Sequence, residues 1–334
     1  LRAREAQAEQ ALNDAHQHTL RMIQSQLEKL YREIAAKQAL GEIIPASWLY
    51  ERGRLATLKQ LIEGQIDHYT ALAQMQAAQL QHMALDLGKR AAMDQLHATI
   101  PAGVKWAFGL PSQQAITDII GVTRDGSPLA DLFAGFGKEA AQKASDALIM
   151  GITNGDNPRV VAKYVQHALD VSRQRALVIS QNEMVRAYRS ANLETMRANS
   201  DVVSGWVWSA NLGSACLACT EENGSVHPLD EEMASHVRCE CVPVPQTRSW
   251  SDILDDAGID TSALDIPETS IGIQDGSEWF ARQSVATQQQ ILGSKARYQA
   301  YQNGTTLKQM VGKKHNERWG GSIYIRPMKD LVKR

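Results

Sequence analysis

Cysteine and aromatic residues are scarce in this chain of 334 residues, with four Cys and 6% Phe, Trp and Tyr. Four thiols are too few for the disulfide scaffold of a protein this long. The shortage of aromatics, beside plentiful Ala, Gln and Leu, leans the fold toward helix. No apolar run of about 18 residues occurs, so the sequence offers no membrane-spanning helix. No signal-peptide pattern opens the sequence, which begins at Leu1 without an initiator Met; the true N-terminus is expected upstream of it. With 43% hydrophobic and 22% charged residues, the composition is globular and long enough for a real core in two or three domains.

Net charge is also lacking, at −2, but this is a cancellation. Residues 1–219 carry 22 Lys/Arg against 21 Asp/Glu, residues 220–280 carry 2 against 14, and residues 281–334 carry 11 against 2. An acidic segment therefore precedes a basic tail. The two are either solvated faces that meet each other, or the tail lies on nucleic acid or an acidic partner.

The first hundred residues read as a helical hairpin. Leu20, Ile23, Leu27, Leu30 and Ile34 form one apolar stripe, and Gly41 and Pro45 end it. A second stripe runs through Leu55, Leu58, Ile62, Ile66, Tyr69, Leu72 and Met75 and continues less regularly to Leu87. Two such helices bury their stripes against each other or against a partner. The chain turns irregular over 99–128, including Asp125-Gly126-Ser127-Pro128. Helical period then returns from Leu129 to Leu148, with Gly151 and Gly155 as its stop. Asp156-Asn157-Pro158 restarts a helix with a cap and a Pro at the first helical position. Val160, Val161, Tyr164, Val165 and Leu169 continue it, and another helix is expected from about Arg173 to Asn199. Val203 to Trp208 then alternates with aromatic and β-branched residues and predicts a strand.

That strand leads into all four cysteines. Cys216-x-x-Cys219 is followed, sixteen residues on, by His236-x-x-Cys239-x-Cys241. A Cys-x-x-Cys turn presents two thiolates about one tetrahedral edge apart, as zinc requires. Four ligands close a structural site, so one of the five candidates is surplus: either four thiolates bind, or three thiolates and His236. His227, before Pro228, is a weaker candidate. A redox Cys-x-x-Cys would need a thioredoxin-like βαβ context, which the helical sequence before it does not supply. Two disulfides fit a chain that ends outside a reducing compartment. A catalytic zinc would need an open position and a nearby general base, and the His-x-Glu that deaminases place before their Cys-x-x-Cys is missing. A structural zinc is the expectation, since a short β module with few apolar residues cannot build its own core.

Several of these residues, taken in order, resemble the phage Mu protein F-like proteins, the head-morphogenesis minor capsid proteins of tailed bacteriophages. They are Trp206-Val-Trp208, Cys216-Leu-Ala-Cys219, Asn223-Gly224, His227-Pro228 and His236-Val-Arg-Cys239-Glu-Cys241. The family closes with His-Pro-x-Cys-Arg-Cys, where this chain has Val237 and Glu240. Upstream, only Glu183, Tyr188 and Arg189 carry over from the family's Arg-Thr-Glu and Tyr-Arg. The Asp125–Leu129 turn and the Gly151…Pro158 restart also look similar. So do Trp279-Phe280, Gln283, Gln288, Ile291-Leu292-Gly293, Arg297-Tyr298 and Trp319 to Tyr324 downstream, so the resemblance covers about residues 100–330.

Read directly, the tail has Ser277 as an N-cap with Glu278 in the first turn, Gly293 as a stop, and a short helix from Ser294 to Gln302. Trp279, Phe280 and Leu292 are expected in the core. Lys295, Arg297, Lys308, Lys313, Lys314, Arg318, Arg326, Lys329, Lys333 and Arg334 make up most of the basic surplus. No base-reading motif accompanies them, so any DNA contact would be non-specific.

The expected fold is mainly α (α+β): a helical hairpin arm over 1–98, a compact helical core over 99–202, a zinc-stapled β module over 203–248, and a linker with a helical basic tail over 249–334. The resemblance implies a structural protein of the virion, inside the head near the portal and made in the host cytoplasm. Its partners would be portal and capsid or scaffold proteins, with packaged DNA touched through the tail and no membrane. The competing readings are a zinc-containing nuclease or toxin-type enzyme, and a non-specific DNA-binding protein. No constellation in the sequence supports the enzyme, and the acidic 220–280 stretch opposes the DNA-binding module.

Overall fold

A computed structural model describes residues 2–41, 54–123, 127–154, 156, 158–259, 261, 266, 272–316 and 320–331. Its first two hundred residues hold α1 (Arg2–Ala39), α2 (Arg54–Ala98), the short α3 (Gln113–Thr117), α4 (Leu129–Thr153) and α5 (Pro158–Arg197). Then come β1 (Val203–Ser209), α6 (Leu217–Glu222), β2 (Val226–His227), β3 (Val242–Thr247) and α7 (Trp250–Asp256). The C-terminal part holds α8 (Gly276–Ala281), α9 (Val285–Leu292), α10 (Lys295–Gln302), α11 (Leu307–Met310), β4 (Val311–Asn316), β5 (Gly320–Ile325) and α12 (Met328–Leu331). The chain is mainly helical, and none of its described helices is long and apolar enough to cross a membrane. It divides into two compact units, neither of them one continuous stretch: residues 1–80 with 127–183, and residues 81–126 with 184–334.

In the first unit, the stripe of Leu20, Ile23, Leu27 and Leu30 meets Ile62 and Ile66 of α2. Ala140, Ala141 and Ala144 of α4 and Val161, Val165 and Leu169 of α5 complete this cluster. A second cluster joins Leu12, Tyr69, Ala73 and Ala77 to Leu129, Phe133 and Phe136, with Ala176 and Ile179. Four helices thus share two buried clusters, and the hairpin stripe is covered within the chain. Alanines let the helices approach closely, and at Gly137 a Cβ would lie 2.8 Å from Thr70 Oγ1. Each fully buried Leu, Ile or Phe contributes on the order of 1.5–3 kcal/mol by leaving water.

In the second unit, a three-stranded antiparallel sheet has the order β2-β1-β3. Trp206 lies opposite His227 and Pro245, and Val207 opposite Val244. β1 is the central strand and is buried from Gly205 through Trp208. Gly205 is required there, since a Cβ would come within 2.5 Å of the His227 carbonyl oxygen. Trp206 and Trp208 enter a cluster with Leu193, Met196, Leu217, Phe280, Leu292, Met310 and Ile323. A smaller cluster packs Val202 with Trp250, Ile253 and Leu254 against Trp106, whose ring meets Trp250 edge-on at 5.7 Å.

Several expectations need correction. α5 is one unbroken helix from Pro158 to Arg197, rather than two helices meeting near residue 170. Met75 is 49% exposed, because beyond Tyr69 the buried stripe of α2 passes through Ala73, Ala77 and Leu80. In the tail, Asp275 rather than Ser277 caps α8, accepting from the Glu278 N–H at 2.8 Å. Ser284 then caps a separate α9, which ends as expected at Gly293 in the left-handed region (φ 68°). The tail is also not wholly helical, since β4 and β5 form an antiparallel hairpin with Gly312 opposite Tyr324. Pro45, Asp125, Gly126, Gly155, Asn157, Arg318, Trp319, Lys333 and Arg334 lie outside the described residues, as do the side chains of Ile34, Leu55, Leu58 and Leu148.

Candidate metal centre

Backbone geometry places the five predicted ligands. Cys216 occupies the N-cap position of α6 in extended conformation (φ −75°, ψ 167°), and its carbonyl accepts the Thr220 N–H at 2.8 Å. Cys219 follows in the first turn, so the two side chains share one side of the helix. The other three ligands come from the turn that enters β3. The Cys239 N–H closes it onto the His236 carbonyl at 3.1 Å. Arg238, between them, has φ 61°, a left-handed conformation that costs a non-glycine residue about 1–2 kcal/mol. Cys241 then runs directly into β3, whose Val242 pairs with Ser209 of β1.

The structure brings all five together in two overlapping groups, Cys216/Cys219/His236 and Cys219/Cys239/Cys241, each with ligand atoms within 4.8 Å of one another. His236 Nε2 lies 3.2 Å from Cys216 Sγ and 3.1 Å from Cys219 Sγ, and the Cys219 and Cys239 sulfurs are 3.7 Å apart. Thiolates at about 2.3 Å from a tetrahedral ion stand about 3.8 Å from one another, so the donor set suits such an ion. None of the four cysteines is in a disulfide, and 3.7 Å is far beyond a sulfur–sulfur bond of about 2.05 Å. His236 Nδ1 lies 2.8 Å from the Val237 carbonyl oxygen, which fixes Nδ1 as the donor and leaves Nε2 facing the sulfurs.

Crowding shapes the electrostatics. The Cys216 thiol is pulled down to about 4, first by its hydrogen bond with Cys219 and then by His236. His236 is pushed up to about 9, chiefly by its bond to Cys216. Cys239 is held well below the usual thiol range by Cys219 and Cys241. Cys219, in contact with Cys216, Cys239 and Cys241, is driven upward and keeps the proton. Four buried or half-buried sulfurs this close cannot all ionise without a cation among them. The residues present could therefore hold a metal ion.

Around the ligands, Arg189 Nε donates to the Cys241 carbonyl at 2.8 Å and Nη2 to the Cys239 carbonyl at 2.9 Å. Asn223 accepts the Ala210 N–H at 2.7 Å and donates to the Gln274 carbonyl at 2.7 Å, joining the ends of β1 and α6 to the segment before α8. Gly224 (φ 86°) turns the chain so that its N–H reaches the Trp208 carbonyl at 2.9 Å. The sequence marked Arg189, Asn223 and Gly224 only through resemblance. Their partners are backbone groups far along the chain, which no spacing rule reveals.

His227, the weaker candidate, belongs to neither ligand group. It stacks on Trp206 at 4.1 Å, with Nε2 2.8 Å from Ser225 Oγ and Nδ1 3.2 Å from a Glu231 oxygen. This order imitates a nucleophile, base and orienting acid. The Ser225 hydroxyl, however, donates to the Glu222 carbonyl at 2.6 Å, which commits the proton a base would take.

A Cys/His cluster beside a central tryptophan-bearing strand marks a mainly helical protein with a small module that could hold a metal ion. Residues 142–244 match the family model described as Phage Mu protein F like protein, a little under a third of the chain. The resemblance to that family of phage head-morphogenesis proteins is thereby shown over a segment that contains Arg189, both tryptophans of β1 and all five candidate ligands. No curated protein and no solved structure matches the chain.

Proposed function

We propose that this chain is a structural minor capsid protein of a tailed bacteriophage, built into the head during morphogenesis near the portal and braced by one structural zinc ion. The family match over 142–244 supports the phage head assignment. The observation that carries the zinc reading is the clustering of the five donors in two groups that share Cys219, one with Cys216 and His236 and one with Cys239 and Cys241, each within 4.8 Å. Four of these five close the site and leave no open position for a reacting water, so the ion cross-links rather than catalyses. The partners are portal and capsid or scaffold proteins, and the place is the interior of the virion.

Non-specific contact with packaged DNA is the secondary reading, supported by the exposed Lys295, Lys308, Lys314 and Lys329.

Two measurements test the main reading. The purified protein should carry about one zinc per chain, and Cys216→Ser should lose it; a stable wild-type protein without metal sinks the staple. Co-expression with the portal protein of the same phage should give a complex on affinity purification, and failure to co-purify removes the portal assignment.

A further inference from the structure

Arg189 projects from α5 and is only 7% exposed. Among the described residues no carboxylate pairs with it, and its two donors meet the carbonyls of Cys239 and Cys241. A buried guanidinium held only by neutral carbonyls is expensive, because carbonyl dipoles replace water but supply no counter-charge. The sulfurs of the same two residues would carry negative charge as ligands of a metal ion, and they lie on the turn that Arg189 holds. The need runs both ways. Three or four thiolates around a divalent ion leave the complex with a charge of about −1 or −2, which a neighbouring cation offsets.

The geometry is also specific to arginine. A planar fork has two N–H groups at fixed separation, matching carbonyls two residues apart; an ammonium is a point donor. The buried Trp208 indole N–H has no well-aligned partner and interacts with Cys241.

We propose that Arg189 is a positioning residue of the metal centre, fixing the Cys239–Cys241 half of the ligand set through its two carbonyls and supplying the counter-charge for a thiolate-rich divalent ion. This rests on the metal reading above. It assigns a task to a residue far from the knuckle in sequence, and it predicts that the centre fails from its second half first.

Cobalt(II) is the probe, because sulfur-to-cobalt charge-transfer absorption reports the number of bound thiolates. Wild-type protein should take up one cobalt with strong charge-transfer absorption. Arg189→Met should weaken cobalt affinity by about 10–100-fold, the usual loss when a group holding a metal ligand is removed, and should dim the absorption per bound cobalt. Arg189→Lys should recover the affinity only in part, since it restores charge without the fork. It also serves as the test where Arg189→Met does not fold. Ile253→Ala, in the Trp250 cluster of the same unit, is the control for simple destabilisation. The inference is overturned if Arg189→Met or Arg189→Lys binds cobalt with wild-type affinity and spectrum, or if Ile253→Ala weakens binding as much. Wild-type protein that takes no cobalt overturns the metal reading itself, and this inference with it.

Discussion

The Lys313 ammonium of β4 lies 3.4 Å from the buried carboxylate of Glu222 at the end of α6. It is one place where the basic tail meets the acidic segment. Neighbouring Glu221 is pushed up by burial and by Glu222, while Lys308 and Lys313 oppose that shift. Two of the tail's lysines are thus partly neutralised inside the molecule. Arg326 is likewise engaged, donating to the Val311 carbonyl at 2.9 Å. Replacing both acids, Glu221→Gln with Glu222→Gln, should release Lys308 and Lys313 toward a polyanion. Affinity for mixed-sequence DNA should then rise at low salt. The slope of log K against log salt should steepen by up to about 1.8, or 0.9 for each added phosphate contact. An unchanged slope would show that these lysines do not face DNA.

His16 gives the first unit a pH dependence. Its ring is 2% exposed, with Nε2 2.8 Å from Asp170 and the ring edge-on to Tyr69 at 6.0 Å. Burial lowers its pKa below the ordinary value, and the Asp170 contact only partly offsets this. A folded pKa below the unfolded one means the unfolded chain binds more protons. His16's contribution is therefore complete above about pH 6.5 and lost as pH falls toward its folded value. Melting temperature should drop between pH 7 and 5, with a slope from this group of at most about 1.4 kcal/mol per pH unit. His16→Gln, which keeps an N–H for Asp170 but does not titrate, should flatten that part of the profile. An equally steep profile in the variant would rule His16 out as its source.

Metal removal should be felt first at the tryptophans. Trp206 and Trp208 share a cluster with Cys219, Cys239 and Cys241, whereas the cores of the first unit contain no ligand residue. A strong chelator at neutral pH should change tryptophan fluorescence and lower the melting temperature, and added zinc should restore both. Because His236 is raised to about 9 beside Cys216 and Cys219 keeps its proton, uptake of zinc at pH 7 should release protons from the ligand set, measurable with an indicator in weak buffer. A metal-loaded protein whose fluorescence ignores the chelator would contradict the staple.

Much of this site was legible because it is local. Cys216-x-x-Cys219 and Cys239-x-Cys241 each fall on one short stretch, so spacing alone brings the donors of each pair together. Val203 to Trp208 was readable as a strand because it alternates, and Gly293 as a stop because a left-handed residue ends α9. The β4–β5 hairpin was not readable. Its outward residues, Lys314 and Tyr324, mask the alternation of buried Val311 and Ile323, and its register depends on Tyr324 lying over the bare backbone of Gly312. The continuity of α5 was hidden too, since Asp170 to Ser172 interrupts the apolar period without interrupting backbone hydrogen bonding.

Two glycines separate close packing from chain freedom. At Gly276, the first residue of α8, an added Cβ would fall onto the Thr220 carbonyl oxygen of α6, and the Gly276 N–H is already held by the Asn223 carbonyl at 2.9 Å. The obstacle is backbone on both sides, so neither helix can yield by a side-chain rotation. Gly276→Ala should destabilise by about 1–3 kcal/mol, as overpacking does, and should loosen the Asn223 bridge beside the knuckle. Gly135, inside α4, has nothing within 4 Å of the corresponding position. There Ala only restricts the unfolded chain and favours the helix, so Gly135→Ala should stabilise by about 0.5–1 kcal/mol. Chemical denaturation of both variants checks the pair. Opposite signs support the close approach of α6 and α8, while a neutral Gly276→Ala would mean that these helices do not pack as closely in solution.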